Sequence, residues 1–157
     1  MPIFVQIHPL PGQQLPQSFE SLAEMLGNIP GMFFELDGSF VWVDHEDTPS
    51  SQMDGMVYDR LGKLAYIEVK GACNARQWLT LCRAVCGFAG PPPLALKNGE
   101  AESGYAASGY AAIERIARVH RVVEGDWTTA SEIASQLPLH RQSLNSSSTL
   151  SRLPRPS

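Results

Sequence analysis

Met53-Asp54-Gly55-Met56-Val57-Tyr58-Asp59-Arg60-Leu61-Gly62-Lys63-Leu64-Ala65-Tyr66-Ile67-Glu68-Val69-Lys70-Gly71 is the stretch on which the fold turns. Residues 56–58 and 64–69 are two β-prone runs, and the segment between them holds a glycine suited to the positive φ of a tight turn. The stretch therefore predicts a β-hairpin. In its second strand Ile67 and Val69 point to one side and Glu68 and Lys70 to the other, because side chains alternate along a strand. Asp54 begins the partner strand, and the fold-back carries its carboxylate alongside Glu68. An Asp, a Glu and a Lys are expected to converge at one sheet end.

Outward from this hairpin the chain reads as strand, helix, hairpin, hairpin, helix. Residues 3–7 form a short β-prone run closed by Pro9, Pro11 and Gly12. Ser18 can cap a helix whose apolar residues Phe19, Leu22, Ala23, Met25 and Leu26 run to Gly27. Two further β-rich runs, 32–36 and 40–43, flank the turn signal Asp37-Gly38. After a polar loop at 45–52 and the central hairpin, Ala75, Trp78, Leu79, Cys82, Val85 and Cys86 recur at helical spacing until Gly87.

The Gly90-Pro91-Pro92-Pro93 break and the small, polar run 98–109 divide the chain into an α/β unit at 1–98 and a helical unit at 104–157. A short strand at 94–96 would close the first. The second is expected to hold a helix over 111–124, one capped by Thr129 and ending before Pro138, and a last one from about His140. The fold class that follows is α/β, a small mixed sheet flanked by helices with a C-terminal helical unit.

Composition bounds the function. With 157 residues, 43% hydrophobic and 18% charged, the chain can bury a core yet is sparsely charged for a globular domain. Twelve basic and sixteen acidic side chains leave a net charge of −4, which excludes a protein that coats nucleic acid by bulk electrostatics. The acids gather in the front unit, while the back unit is mildly basic. Cys73, Cys82 and Cys86 match no zinc or redox spacing and read as small buried apolar residues. The N-terminus lacks a secretory pattern and no run of about eighteen apolar residues occurs, so a soluble, cytoplasmic protein without a membrane partner is expected.

The carboxylates and lysine of the hairpin suit metal-assisted phosphodiester hydrolysis. Asp54, Glu68 and the Val69 carbonyl are hard oxygen ligands for Mg²⁺ or Mn²⁺, and Lys70 could orient a water or stabilise charge on the phosphate. The same residues also suit a solvated hairpin face with a cross-strand ion pair. Gly55 and Gly71 would let a ligand approach the backbone closely.

Asp54 and the Glu68-Val69-Lys70 triplet, within this order of helix and strands, resemble the restriction-endonuclease-like PD-(D/E)xK nucleases over about residues 18–96. The resemblance implies a restriction-endonuclease-like core, a metal site at Asp54 and Glu68, catalytic roles for Asp54, Glu68 and Lys70, and an auxiliary polar role for Gln77. Glu20 or Glu24 would complete the metal site. Met53 stands where a proline often precedes the Asp. In the back unit, Thr129-Ala130-Ser131-Glu132-Ile133-Ala134 resembles the second helix of a winged helix-turn-helix. Residues 140–153 would then be its recognition helix, with Arg141, Gln142, Ser143 and Asn145 placed to contact DNA. The wing and a regular apolar stripe are missing. The expected function is metal-dependent cleavage of DNA, or alternatively non-catalytic DNA binding by a regulator or interaction module on a degenerate nuclease fold. A homodimer is compatible with either.

Overall fold

A computed structural model describes residues 2–45, 51–88 and 109–139. Its element order begins β1 (Pro2–Pro9), α1 (Phe19–Gly27), β2 (Met32–Phe34), β3 (Ser39–Asp44), β4 (Ser51–Arg60), β5 (Lys63–Ala72) and α2 (Ala75–Val85). There follow a short helix α3 over 109–114, then β6 (Ala117–Arg121), β7 (Asp126–Thr128) and α4 (Ala130–Ser135). The strands form one seven-stranded sheet in the order β2-β3-β4-β5-β1-β6-β7.

Both expected hairpins form where their turn residues stand. Gly38 takes a positive φ, and the Asp37 carboxylate accepts from the Ser39 backbone N–H at 2.9 Å. The central hairpin is longer than the β-prone runs suggest, because β4 starts at Ser51 and pairs with β5 as far as Gly71. Its two-residue loop, Leu61-Gly62, has φ of 54° and 82°, the twin positive angles of a type I′ turn. Leucine is strained there, because its Cβ crowds the following carbonyl. Nothing packs on it in return, since Leu61 is 98% exposed.

Helix caps also follow the sequence. Ser18 accepts from Ser21 N–H at α1, and Thr129 accepts from Glu132 N–H at α4. At α2, Asn74 and Gln77 satisfy each other's backbone N–H groups in a capping box.

The sheet is mixed with helices as an α/β class requires, but the strand directions are not mixed. Every pairing is antiparallel, the natural outcome of a β2–β5 meander whose consecutive strands turn straight back. The helix expected over 111–124 is replaced after residue 114 by the β6–β7 hairpin. Ala117 and Val119 face the core while Arg118 and His120 face away, and β6 donates and accepts along the free edge of β1. The apolar spacing at 112–123 fits either period, and the open edge of β1 decides it, since its backbone groups need partners. The second unit expected at 104–157 thus adds strands to the sheet of the first. The strand at 94–96 and the helix from His140 lie outside the described residues.

One face of the sheet carries the core. Val5, Ile7, Phe40, Trp42, Met53, Val57, Ile67, Val69, Ala117 and Val119 alternate inward and meet Leu22 and Leu26 of α1, Trp78, Leu81, Cys82 and Val85 of α2, Ile113 of α3 and Ile133 of α4. Trp78 is fully buried and donates its indole N–H to the Ala130 carbonyl at 2.9 Å, locking α2 to α4. The three cysteines are free and buried, and burial pushes the Cys73 and Cys86 thiols up to about 12, so they act as apolar packing groups. No described helix is long and apolar enough to cross a membrane.

Replacing Leu61 by Asn, a residue that tolerates the left-handed region, is expected to stabilise the fold by about 1 kcal/mol. Equilibrium denaturation checks this, and a variant that is less stable would refute the strain at the turn.

Candidate functional site

The sheet face opposite the described helices holds the residues singled out in the hairpin. Asp54 on β4 lies directly opposite Lys70 on β5, while Glu68 lies opposite Met56. The three therefore share one face, but Asp54 neighbours Glu68 only diagonally, at about the 7 to 8 Å usual for such pairs. Asp54 accepts from Gln52 Nε2 at 3.2 Å. Glu68 accepts from Gln6 Nε2 at 2.9 Å, across the β1–β5 pairing. Lys70 extends its ammonium over the Phe4 ring, 5.8 Å from the centroid.

As a divalent-cation site this set is thin. Val69 sits in an interior strand paired on both sides, so its carbonyl lies in the plane of the sheet and serves the ladder rather than the open face. Glu20 and Glu24 belong to α1, whose buried residues Leu22 and Leu26 pack on the opposite, core face. Among the described residues, no three His, Cys, Asp or Glu side chains gather where they could hold a metal ion. Two diagonal carboxylates would leave most of an octahedral Mg²⁺ shell to water and phosphate.

The two flanking glycines have structural reasons. A side chain at Gly55 would collide with the Phe40 ring, and Gly71, at φ +117°, would bring a Cβ to 2.7 Å from the Gln52 carbonyl. Neither leaves room for a ligand. Gln77 is likewise away from the triplet. It is 2% exposed at the start of α2, its Oε1 accepting from Asn74 N–H at 3.1 Å and from Ser51 Oγ at 3.0 Å. Its role there is to cap the helix and fasten it to the start of β4. Arg141, Gln142, Ser143 and Asn145 lie outside the described residues.

The strongest feature of the open face is one that strand-by-strand inspection misses. Tyr58, Tyr66, His8 and Trp127 come from β4, β5, β1 and β7, far apart in sequence, and form a continuous row. Tyr58 stacks on Tyr66 at 4.5 Å between centroids, and Tyr66 on His8 at 4.8 Å with planes 10° apart. His8 meets Trp127 edge-on at 5.2 Å, and His120 tilts against the same indole at 4.9 Å. The row ends in a cation, with the Arg118 guanidinium 3.5 Å above the Trp127 ring.

Arg118 has no carboxylate partner among the described residues, and its Nε is shielded from solvent with no hydrogen-bond partner. Trp127 keeps 45% of its surface exposed, whereas Trp42 and Trp78 are buried. Beside the Tyr58–Tyr66 pair, towards the turn of the hairpin, Arg60 and Lys63 are partners across β4 and β5.

A hydrogen-bond chain links this row to the acidic cluster. The Gln6 amide gives its NH₂ to Glu68, so its carbonyl oxygen is left to accept from His8 Nε2–H at 2.9 Å. His8 titrates below the ordinary histidine value, mainly because burial disfavours the imidazolium, and further because His120 and Arg118 add positive charge nearby.

No family model, curated protein or solved structure matches this chain significantly.

Because the folded protein holds His8 neutral more strongly than the unfolded chain does, its contribution to stability is complete above the ordinary value of about 6.5 and is lost as pH falls towards the depressed folded value. An NMR titration of the His8 ring is expected to give a midpoint below that of an exposed histidine. A midpoint above it would show that the neutral ring is not favoured in this row.

Proposed function

We propose that the protein is a non-catalytic nucleic-acid-binding module whose binding surface is the sheet face opposite the described helices. The observation that carries this is the Arg118 guanidinium, stacked on Trp127 and free of any described carboxylate, at the end of a row of aromatic rings. Phosphate takes a guanidinium as partner, and nucleobases stack on aromatic and guanidinium planes. Arg118 on the terminal Trp127, and Arg60 with Lys63 beside the Tyr58–Tyr66 pair, suit a backbone that passes along the row. DNA is the first ligand to test.

The hydrolytic alternative draws on one observation, that Asp54, Glu68 and Lys70 share this face. The diagonal placing of Asp54 and Glu68, with the Val69 carbonyl turned into the ladder, favours binding over cleavage. A second copy of the chain packed on the same face is a further arrangement, and it would show as a dimer in sedimentation.

Fluorescence anisotropy of labelled DNA oligonucleotides, both single strands and duplexes, tests the proposal. Binding is expected, with Arg118→Gln weakening it about tenfold, the scale of one charge-assisted hydrogen bond to phosphate. Absence of binding to every oligonucleotide would refute it. Incubation with Mg²⁺ or Mn²⁺ is expected to leave DNA intact; cleavage that disappears in Lys70→Ala would instead establish the nuclease.

A further inference from the structure

Resting on the nucleic-acid reading above, we infer that this face selects single-stranded nucleic acid and takes unpaired bases at the two ends of the Tyr58–Tyr66–His8–Trp127 row, discriminating against duplexes.

Charge supplies the first part of the argument. Along the paired centre of the open face, the acids Asp54 and Glu68 offset the bases Lys70 and Arg118, and Glu68 is joined to His8 through Gln6. The His8 ring lies against Trp127 and close to Arg118, and its burial, with the positive charge nearby, disfavours the imidazolium. Among the described residues of this face, the surplus of cations lies at Arg60 and Lys63 beside the hairpin turn. Duplex binding depends chiefly on neutralising phosphates, and a face so nearly balanced has little to offer it. The whole chain, at a net −4, adds repulsion.

Ring geometry supplies the second. A duplex keeps its base faces stacked on one another, so rings on a protein surface gain nothing from them. An unpaired base has two free faces, and each base that stacks on an aromatic side chain is worth about 1–3 kcal/mol. The inner rings of the row already cover one another at 4.5 and 4.8 Å. The planes left for a ligand are those at the two ends, Tyr58 and the Arg118–Trp127 pair. Between them lie β4, β5, β1, β6 and β7, strands spaced by about 4.8 Å, so the ends are roughly 15 to 20 Å apart. A base at each end, with two or three nucleotides crossing between them, matches that span, with Arg118 at one end and Arg60 and Lys63 beside the other pair of rings as partners for the backbone.

The test compares single strands of DNA and RNA of about twelve nucleotides with a DNA duplex of the same sequence, at low and moderate salt. Quenching of tryptophan emission reports this face, because Trp127 is the exposed indole and Trp42 and Trp78 are buried. Single strands of either kind are expected to bind at least tenfold more tightly than the duplex. Their affinity should fall with salt with a logarithmic slope no steeper than about −2, the value for two to three phosphate contacts. Tyr58→Leu should weaken single-strand binding about fivefold or more, and Trp127→Leu, an edge-strand change at a partly exposed site that removes the reporting indole, is read by anisotropy of a labelled strand and provides a second variant if the first fails to fold.

A duplex bound as tightly as the single strand, or a steep salt slope, would overturn the selectivity while leaving nucleic-acid binding intact. Unchanged single-strand affinity in the folded variants would overturn the role of the row. A failure of all oligonucleotides to bind, or a dimer that no oligonucleotide dissociates, would overturn both this inference and the function on which it rests.

Discussion

The rest of the structure depends on β1 being held on both edges. The N-terminal strand lies between β5 and β6, pairing antiparallel with each, so residues from the start of the chain join the central hairpin to the segment beyond residue 109. Interior strands leave no free backbone edge, and their two faces must differ because successive side chains alternate. Val5 and Ile7 fix which face is the core. Phe4, Gln6 and His8 are then placed on the other, where Gln6 reaches Glu68 and His8 reaches Tyr66 and Trp127.

Helices follow from the same constraint. The core face is covered by α1, α2, α3 and α4, tied by the buried Trp78 N–H to Ala130 and by Ala75 N–H to the Pro138 carbonyl at 2.8 Å. Glu114 bonds the Ser131 backbone and hydroxyl, clamping α3 to α4. Arg121, on the core side of β6, pairs with Glu132 at 3.2 Å and steadies the same corner. With the helices gathered on one side, aromatic rings and cations remain on the other. A chain that is acidic as a whole thus displays a face whose charges nearly cancel, and its chemistry there is set by rings rather than by net charge.

Local signals were legible where a residue's own backbone preference or cap settles the matter. Asp37-Gly38 and Gly62 mark turns, and Ser18 and Thr129 mark helix starts, because each acts within a few residues. The segment 111–124 was misread because its apolar residues satisfy a helical period and a strand period alike. Asp54, Glu68 and Lys70 were correctly assigned to one hairpin, but its register sets Asp54 opposite Lys70 rather than beside Glu68. Gly55 and Gly71, legible as sites of close approach, are approached by Phe40 and by the Gln52 backbone instead of by a ligand. Gln77, polar and near the hairpin in sequence, proves to be a buried cap.

By itself the sequence determined the α/β class, the two hairpins, the helix starts and the alternation that separates Ile67 and Val69 from Glu68 and Lys70. These depend on φ preferences, side-chain hydrogen bonds and periodicity, which act over a few residues. Tertiary structure alone decided the strand order, the conversion of residues 117–128 to a hairpin, and the row that unites His8, Tyr58, Tyr66, Trp127 and Arg118. Those features depend on which strand meets which edge, and that is set by pairing over long sequence separations that no local pattern records.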